Sequence, residues 1–223
     1  MSYDKAISYS GLSLYRKCPL AWKTAYIDGV RTESGAAANR GTKIHAELEK
    51  YFDGTSPELR NLVFQPWKDW MEELLDRATV LQTEWQVGAT KDWGKAAFDD
   101  PQAHVRGAMD LVVEADDELP HVIDWKTGGI YPEHVGQADY YAALRGAYHL
   151  RDGVEVSMVY LDHPKTVRTW QYGLDKVQEL QGSLNDEIAI LRLDEEYVPT
   201  PSPKSCRWCP KSWRVGGDCT QAP

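Results

Sequence analysis

The sequence predicts an α/β fold in which a helical N-terminal part leads into a mixed sheet flanked by helices. Three observations predict it. Apolar residues recur at helical spacing through the first third of the chain. From Glu84 the pattern changes to short strand-like runs, and two further helical stretches interrupt and follow those runs.

Residues 10–27 read as a first helix, with Ser10 or Ser13 as N-cap and Leu12, Leu14, Leu20 and Trp22 as apolar positions. Glu33-Ser34-Gly35-Ala36-Ala37-Ala38 reads as a loop. A second helix carries Ile44, Leu48 and Phe52 on one face, and a third covers Gln65 to Leu81 with Trp67, Trp70, Met71, Leu74 and Leu75. Strands are expected at Glu84 to Val87, Ala96 to Phe98, Val105 to Glu114 and His121 to Lys126. The acidic turn Ala115-Asp116-Asp117-Glu118 joins the last two as a hairpin. A helix from Glu133 to Leu150 ends at Asp152-Gly153, Val154 to Leu161 and Val167 to Tyr172 are two more strands, and Leu174 to Leu193 is a long final helix. The proline-rich segment from Val198 to Pro203 cannot continue that helix and reads as an extended connector. From Lys204 to Pro223 there is too little apolar material to fold unaided. The expected organisation is therefore a helical part over 1–82, a core over 83–197 and a cysteine-rich tail over 198–223.

A length of 223 residues suits one large domain, or one with a small appendage, and 42% hydrophobic residues supply a core. No apolar run approaches the roughly 20 residues that span a bilayer. Met1-Ser2-Tyr3-Asp4-Lys5 has neither the basic start nor the apolar core of a signal peptide, so the expectation is a cytoplasmic protein without a membrane partner. A net charge of −9 runs against nucleic-acid binding as a bulk property. A cleft needs only local cations, however, and bound divalent metals would cancel part of the acidity. Nine Trp and twelve Tyr against three Phe serve either to stack on unpaired bases or to pack core and rim.

The most informative residues lie on the expected hairpin. Arg106-Gly107-Ala108-Met109-Asp110-Leu111 and Val122-Ile123-Asp124-Trp125-Lys126 each set an acid in an apolar strand. Aspartate is disfavoured in strands, and a buried carboxylate is costly without a partner. Two acids on consecutive strands can converge on one cation. Asp124 and Lys126, two apart, point to the same side, where the lysine can hold an attacking water or steady phosphate charge. A structural salt bridge explains the same residues, and the hairpin alone does not choose.

The neighbouring motifs add a pattern. Gly41-Thr42-Lys43-Ile44-His45 places a histidine on a helix ahead of the sheet, and Gln137 and Tyr141 share a helical face after the lysine strand. The ordered series Gly41 with His45, Gly107 with Asp110, Asp124 with Lys126, and Gln137 with Tyr141 resembles the RecB-like branch of the PD-(D/E)XK nucleases. That branch carries a G-x-x-x-H helix, a G-x-x-D strand, a D/E-x-K strand and a Q-x-x-x-Y helix. The resemblance implies a restriction-endonuclease-like core. It implies Mg²⁺ or Mn²⁺ held by His45, Asp110, Asp124 and the backbone carbonyl of Trp125, an oxygen-rich set suited to a hard cation. Lys126 would act on the nucleophilic water, while Gln137 and Tyr141 would position DNA or steady the site. Glu84 resembles an acid seen in some members.

The four cysteines are Cys18 near the start and Cys206, Cys209 and Cys219 in the tail. Disulfides are the weak explanation in a cytosolic protein, and C-x-x-C suits zinc or iron–sulfur chemistry equally. The absence of a second close pair argues against an ordinary zinc ribbon. A shared cluster would fasten the tail to the first helix. Tyr15-Arg16-Lys17-Cys18-Pro19 and Cys206-Arg207-Trp208-Cys209-Pro210 resemble the Y-x-x-C-P and C-x-x-C-P signatures of the iron–sulfur subgroup of these nucleases, which includes CRISPR-associated members. That resemblance implies a structural 4Fe–4S cluster, with zinc second and free thiols third.

The implied activity is an exodeoxyribonuclease, 5′–3′ favoured, acting on single-stranded or frayed DNA ends. The implied settings are recombination, repair or CRISPR spacer processing, in a prokaryotic cell or a phage-infected host. Arg16, Lys17, Lys23, Lys204, Arg207, Lys211 and Arg214 are candidate phosphate contacts, and a solvated charged surface is the other reading. The alternative function is a catalytically silent DNA-binding subunit of a repair or CRISPR-adaptation complex. A sequence-specific endonuclease would need a recognition domain for which the chain has little room. Some relatives form rings, so an oligomer is compatible with the resemblance.

Overall fold

Proline decides the first departure from the expected pattern. In place of one helix over 10–27 the chain forms α1 (Tyr9–Lys17) and α2 (Pro19–Tyr26), parted at Cys18, whose backbone is extended. Pro19 disfavours helical geometry in the residue before it and is itself tolerated at the first helical position. Ser8 caps α1 rather than Ser10 or Ser13, its hydroxyl accepting from the Gly11 amide at 3.3 Å. The structure is a computed structural model that describes residues 3–30, 35–148, 152–207, 209–213 and 216–221.

The segment expected as a loop is helical from Ala36, and α3 runs Ala36–Phe52, as a run of alanines favours. Glu33 and Ser34 lie outside the described residues. The helix expected over Gln65 to Leu81 divides into a 3-10 segment, Leu62–Trp67 with Pro66 inside it, and α4 (Lys68–Arg77). Ala78 is already extended, and the chain passes into β1 (Val80–Ala89), so Leu81 is a strand residue. β1 therefore starts ahead of residue 83, where the core was expected to begin. β2 is only Lys95–Ala96, whereas β3 (Val105–Glu114) and β4 (His121–Lys126) fall where the pattern places them. α5 (His134–Arg145) gives way to a 3-10 turn at Gly146–Tyr148, and Leu150 is outside the described residues. β5 (Gly153–Tyr160), β6 (Val167–Gly173) and α6 (Leu174–Leu193) follow. The connector ends one residue early, because Pro203 opens the short α7 (Pro203–Cys206) behind a Ser202–Ser205 capping box.

The six strands form one sheet in the order β2-β1-β3-β4-β5-β6. Every pair is antiparallel except β4 with β5, and α5 supplies the crossover that a parallel pair requires. Apolar side chains cover both faces. Ile44, Leu48 and Phe52 of α3 and Met71 and Leu74 of α4 meet Leu111, Ile123 and Trp125 on one face. On the other, α5 and α6 meet Val112, Val122, Val156 and Met158. β4 is thus central, buried on both sides except at Lys126.

Side chains of the C-terminal part pack against the N-terminal helices. Trp22, fully buried, lies between the nearly parallel rings of Tyr26 and Tyr197, at 5.5 and 6.0 Å between centroids. Tyr3 and Tyr15 close on it edge-on at 5.0 and 5.9 Å. The Tyr15 hydroxyl donates to Asp194 at 2.8 Å, and the Thr200 hydroxyl donates to the Lys17 carbonyl at 2.8 Å. Among the described residues, no helix is long and apolar enough to cross a membrane.

Candidate active site

Four elements meet over the middle of the sheet. Asp110 lies on β3 and Asp124 and Lys126 on β4, while α3 brings His45 and α5 brings Gln137 and Tyr141. Asp110 Oδ2 accepts the Trp125 amide at 2.8 Å and lies 3.4 Å from His45 Nδ1. On β1, Thr83 pairs with Leu111 and Trp85 with Met109. Glu84 between them takes φ +44°, a left-handed conformation that is uncommon outside glycine. Local strain of this kind persists where surrounding structure enforces it, often at functional sites. Ligand atoms of His45, Glu84 and Asp110 all come within 4.8 Å of one another. Asp124 stands outside that group.

Asp124 is held from the other side. Gln137 Nε2 donates to Asp124 Oδ1 at 2.9 Å, and Gln137 Oε1 accepts from Lys126 Nζ at 2.7 Å. Gln137 Nε2 also lies 3.0 Å from the Tyr141 hydroxyl, which in turn donates to the Ala108 carbonyl at 3.0 Å. Lys126 Nζ is 2.5 Å from Asp124 Oδ2, a close buried ion pair. Two carboxylates and an imidazole gathered within 4.8 Å, with a further buried carboxylate nearby, form a donor set that a hard divalent cation fits.

The electrostatics agree. Burial, then the neighbouring Asp110 charge, raise the Asp124 carboxyl, with Lys126 opposing. Burial and Asp110 likewise raise Glu84. Burial acts to lower His45, but its hydrogen bond and charge attraction to Asp110 win and push it up to about 9. The site is over-supplied with negative charge, and a cation relieves it. Burial, with Asp124 and Asp110 nearby, holds the Tyr141 phenol well above its ordinary range and hence protonated.

The motif glycines have steric reasons. A Cβ at Gly107 would meet Leu144 Cδ2 at 2.9 Å, so the leucine side chain between α5 and β3 would have to shift. One at Gly41 would press on Thr127 Oγ1 at 3.1 Å, where the start of α3 crosses the end of β4. The site opens to solvent beside Thr42, Glu49 and Glu84. Behind Gln137 and Tyr141 lies a cleft of about 760 Å³, walled by Tyr9, Leu14 and Tyr26 from the N-terminal helices and by Cys209 and Pro210 from the tail.

Cys18, Cys206, Cys209 and Cys219 all line one small cavity with Leu20, Pro199 and Pro201. Burial and the other three thiols' charge raise Cys209. Among the described residues, no three of these sulfurs gather within 4.8 Å. Of the candidate phosphate contacts, Arg16 is paired bidentately with Glu187 at 2.5 Å, Lys23 with Asp28 at 2.9 Å and Lys211 with Asp218 at 3.2 Å. Lys17 lines the large cleft, and Arg207 is exposed on the tail. Arg214 and the Lys204 side chain lie outside the described residues. Sequence reasoning missed the aromatic cage on Trp22 and a bidentate pair between Arg40 and Asp162, since neither has a local signature.

The model of the PD-(D/E)XK nuclease superfamily matches residues 6–214. Among solved structures, the chain is similar to a protein from Eubacterium rectale provisionally named an exonuclease, at 12% identity and a TM-score of 0.49, covering 84% of this chain and 80% of that one. It is also similar to the protein SSO0001, at 13% identity and a TM-score of 0.42, covering 94% and 84%. No curated protein matches by sequence.

Proposed function

Since the chain belongs to the PD-(D/E)XK nuclease superfamily, we propose that it is a metal-dependent deoxyribonuclease, an exonuclease acting 5′–3′ on single-stranded or frayed DNA ends. The observation that carries this reading is the hydrogen-bonded run Lys126–Gln137–Asp124, on strand and helix, beside a separate gathering of His45, Glu84 and Asp110. A salt bridge kept only for stability has no need of an imidazole and a third carboxylate on the same spot.

In this reading His45, Glu84, Asp110 and Asp124, with the Trp125 carbonyl, hold Mg²⁺ or Mn²⁺. The bound ion supplies Lewis acidity toward the phosphate and makes water easier to deprotonate. The chain's own part is positioning. The Lys126 ammonium, aimed by Gln137 and Asp124, holds the attacking water and faces the charge that grows on the phosphate. The water oxygen bonds to phosphorus as the bond from phosphorus to the leaving sugar oxygen breaks. The water's proton passes to solvent, and the leaving oxygen is protonated. Tyr141 ties Gln137 to β3 through the Ala108 carbonyl and so keeps the amide's orientation.

The aromatic-walled cleft beside Gln137 is the path for an unpaired strand, with Lys17 as its phosphate contact. The four cysteines hold a 4Fe–4S cluster of structural role. What supports a shared group is that all four cysteines line one small cavity. Recombination, repair and CRISPR spacer processing are the settings such an activity serves.

The test is degradation of end-labelled single- and double-stranded DNA with Mg²⁺ or Mn²⁺, comparing the native chain with Lys126→Ala. Metal-dependent shortening from the 5′ end that vanishes in the variant is the expected result. Metal-independent cleavage, or cleavage unchanged in Lys126→Ala, would refute the assignment. Binding without cleavage by protein that retains its cluster would make the chain a silent DNA-binding subunit.

A further inference from the structure

The site depends on how one helix is set against one strand end, because α3 carries His45 and β4 carries Asp124 and Lys126. Asp162, in the turn after β5, occupies that junction. Its Oδ1 accepts from Arg40 Nη2 at 2.7 Å, and its Oδ2 accepts from Arg40 Nη1 at 2.9 Å and from the Gly128 amide at 2.7 Å. Arg40 is in the first turns of α3, ahead of His45, and Gly128 follows Lys126 by two residues. The same turn is fixed to β4 twice more. The Leu161 amide donates to the Lys126 carbonyl at 2.9 Å, and His163 Nε2 is 3.0 Å from the Gly128 carbonyl.

We infer that Asp162 is a positioning residue for the metal site: by clamping Arg40 and Gly128 it fixes the start of α3 against the end of β4, and with it the span from His45 to the carboxylates. This rests on the reading of His45 as a ligand. The buried apolar anchor of α3 begins only at Ile44, and the Arg40–Asp162 clamp holds the preceding turn. Arginine is the residue for the task, since its planar fork engages both carboxylate oxygens and sets an orientation that lysine would not. The pair is largely exposed, with side chains 47% and 27% accessible. An exposed ion pair adds little to global stability. Its consequence here is geometric: removing it leaves the fold standing and loosens one ligand. Neither side chain touches a proposed ligand, so the effect on affinity should be smaller than that of a direct partner of a ligand.

The experiment is isothermal titration of the full chain with Mn²⁺ in the absence of DNA, which does not depend on catalysis. It compares the native protein with Asp162→Asn, Arg40→Ala, the double variant, the reversed pair Arg40→Asp/Asp162→Arg, and His45→Ala. Each single clamp variant is expected to weaken Mn²⁺ binding roughly five- to tenfold, below the full range known for second-sphere losses. The double variant should be no weaker than Asp162→Asn, because that change already breaks the ion pair with Arg40. Melting temperature should stay within about 2 °C, as befits an exposed pair. The reversed pair rebuilds the ion pair but not the Gly128 bond, and should recover part of the affinity. Native Mn²⁺ affinity in Asp162→Asn, beside a clear loss in His45→Ala, would overturn the positioning role and leave the metal site intact. Native affinity in His45→Ala would overturn both. A large fall in melting temperature in Asp162→Asn would make the residue structural and overturn the inference as well.

Discussion

Replacing Gln137 with alanine removes three hydrogen bonds at once: from Lys126 at 2.7 Å, to Asp124 at 2.9 Å and with Tyr141 at 3.0 Å. The first two involve charged groups, which are worth about 1.5–3 kcal/mol each. Lys126 keeps its 2.5 Å contact with Asp124 after the substitution, so the site retains one of the two constraints on the ammonium. The expected loss in the transition state is therefore that of one charged hydrogen bond, about 2 kcal/mol, or roughly 30-fold in rate. Tyr141→Phe is the matched control. It takes the hydroxyl from Gln137 and from the Ala108 carbonyl but leaves both charged bonds, and should cost about 1 kcal/mol, roughly fivefold. The assay is single-turnover shortening of end-labelled single-stranded DNA at saturating Mn²⁺. A Gln137→Ala rate within about threefold of native, or a larger defect in Tyr141→Phe than in Gln137→Ala, would refute the argument that Gln137 aims the lysine.

Five further outcomes are expected. Glu84→Gln should weaken Mn²⁺ binding about tenfold or more by titration calorimetry, because it removes one of the two carboxylates in the His45 group. In metal-free protein, His45 is raised to about 9, so Mn²⁺ binding at pH 7.5 must displace its proton. Calorimetry in buffers of different ionisation enthalpy should show about one proton released, and His45→Gln should abolish the release. By the same linkage, the His45–Asp110 attraction stabilises metal-free protein fully below the ordinary histidine pKa near 6.5 and is lost as pH rises through about 9. Urea titrations across that range should show the decline in native protein and its absence in His45→Gln. Trp22→Ala empties the centre of the aromatic cage and should cost about 3–5 kcal/mol in urea unfolding. If the proposed cluster is present, anaerobically purified native protein should show its visible absorbance and Cys18→Ser should lose it; unchanged absorbance in the variant would remove Cys18 from the proposed ligand set.

Local signals carried much of this molecule. β3 is readable from alternation over most of its length, β4 from a short apolar run beside a turn, and α6 from apolar residues at helical spacing. The spacing of Asp124 and Lys126 places both on one side of a strand, and the pairing of Gln137 with Tyr141 needs only the pitch of a helix. Elsewhere, information that is not local decided the outcome. Glu84 enters the site through a left-handed backbone kink in β1, which no residue type announces. Asp162 sits in Leu161-Asp162-His163-Pro164, an ordinary turn sequence, and its partner Arg40 is far away in the chain. Pro19 was a local signal for the break at Cys18, outweighed in the reading by the apolar spacing around it.

The cage around Trp22 ties the chain's two ends into a single event. Tyr3, Tyr15 and Tyr26 emerge early in synthesis, but the ring that covers the opposite face of the indole belongs to Tyr197. Until that residue has been made, the largest apolar side chain of the N-terminal helices has one open side. The first helices of the chain are thus among the last to become fully native. A message truncated anywhere before codon 197 yields a product with an exposed indole, a ready target for chaperones and proteases. α2, which carries Trp22, is in this sense a checkpoint, closed only by a chain that has been made as far as Tyr197.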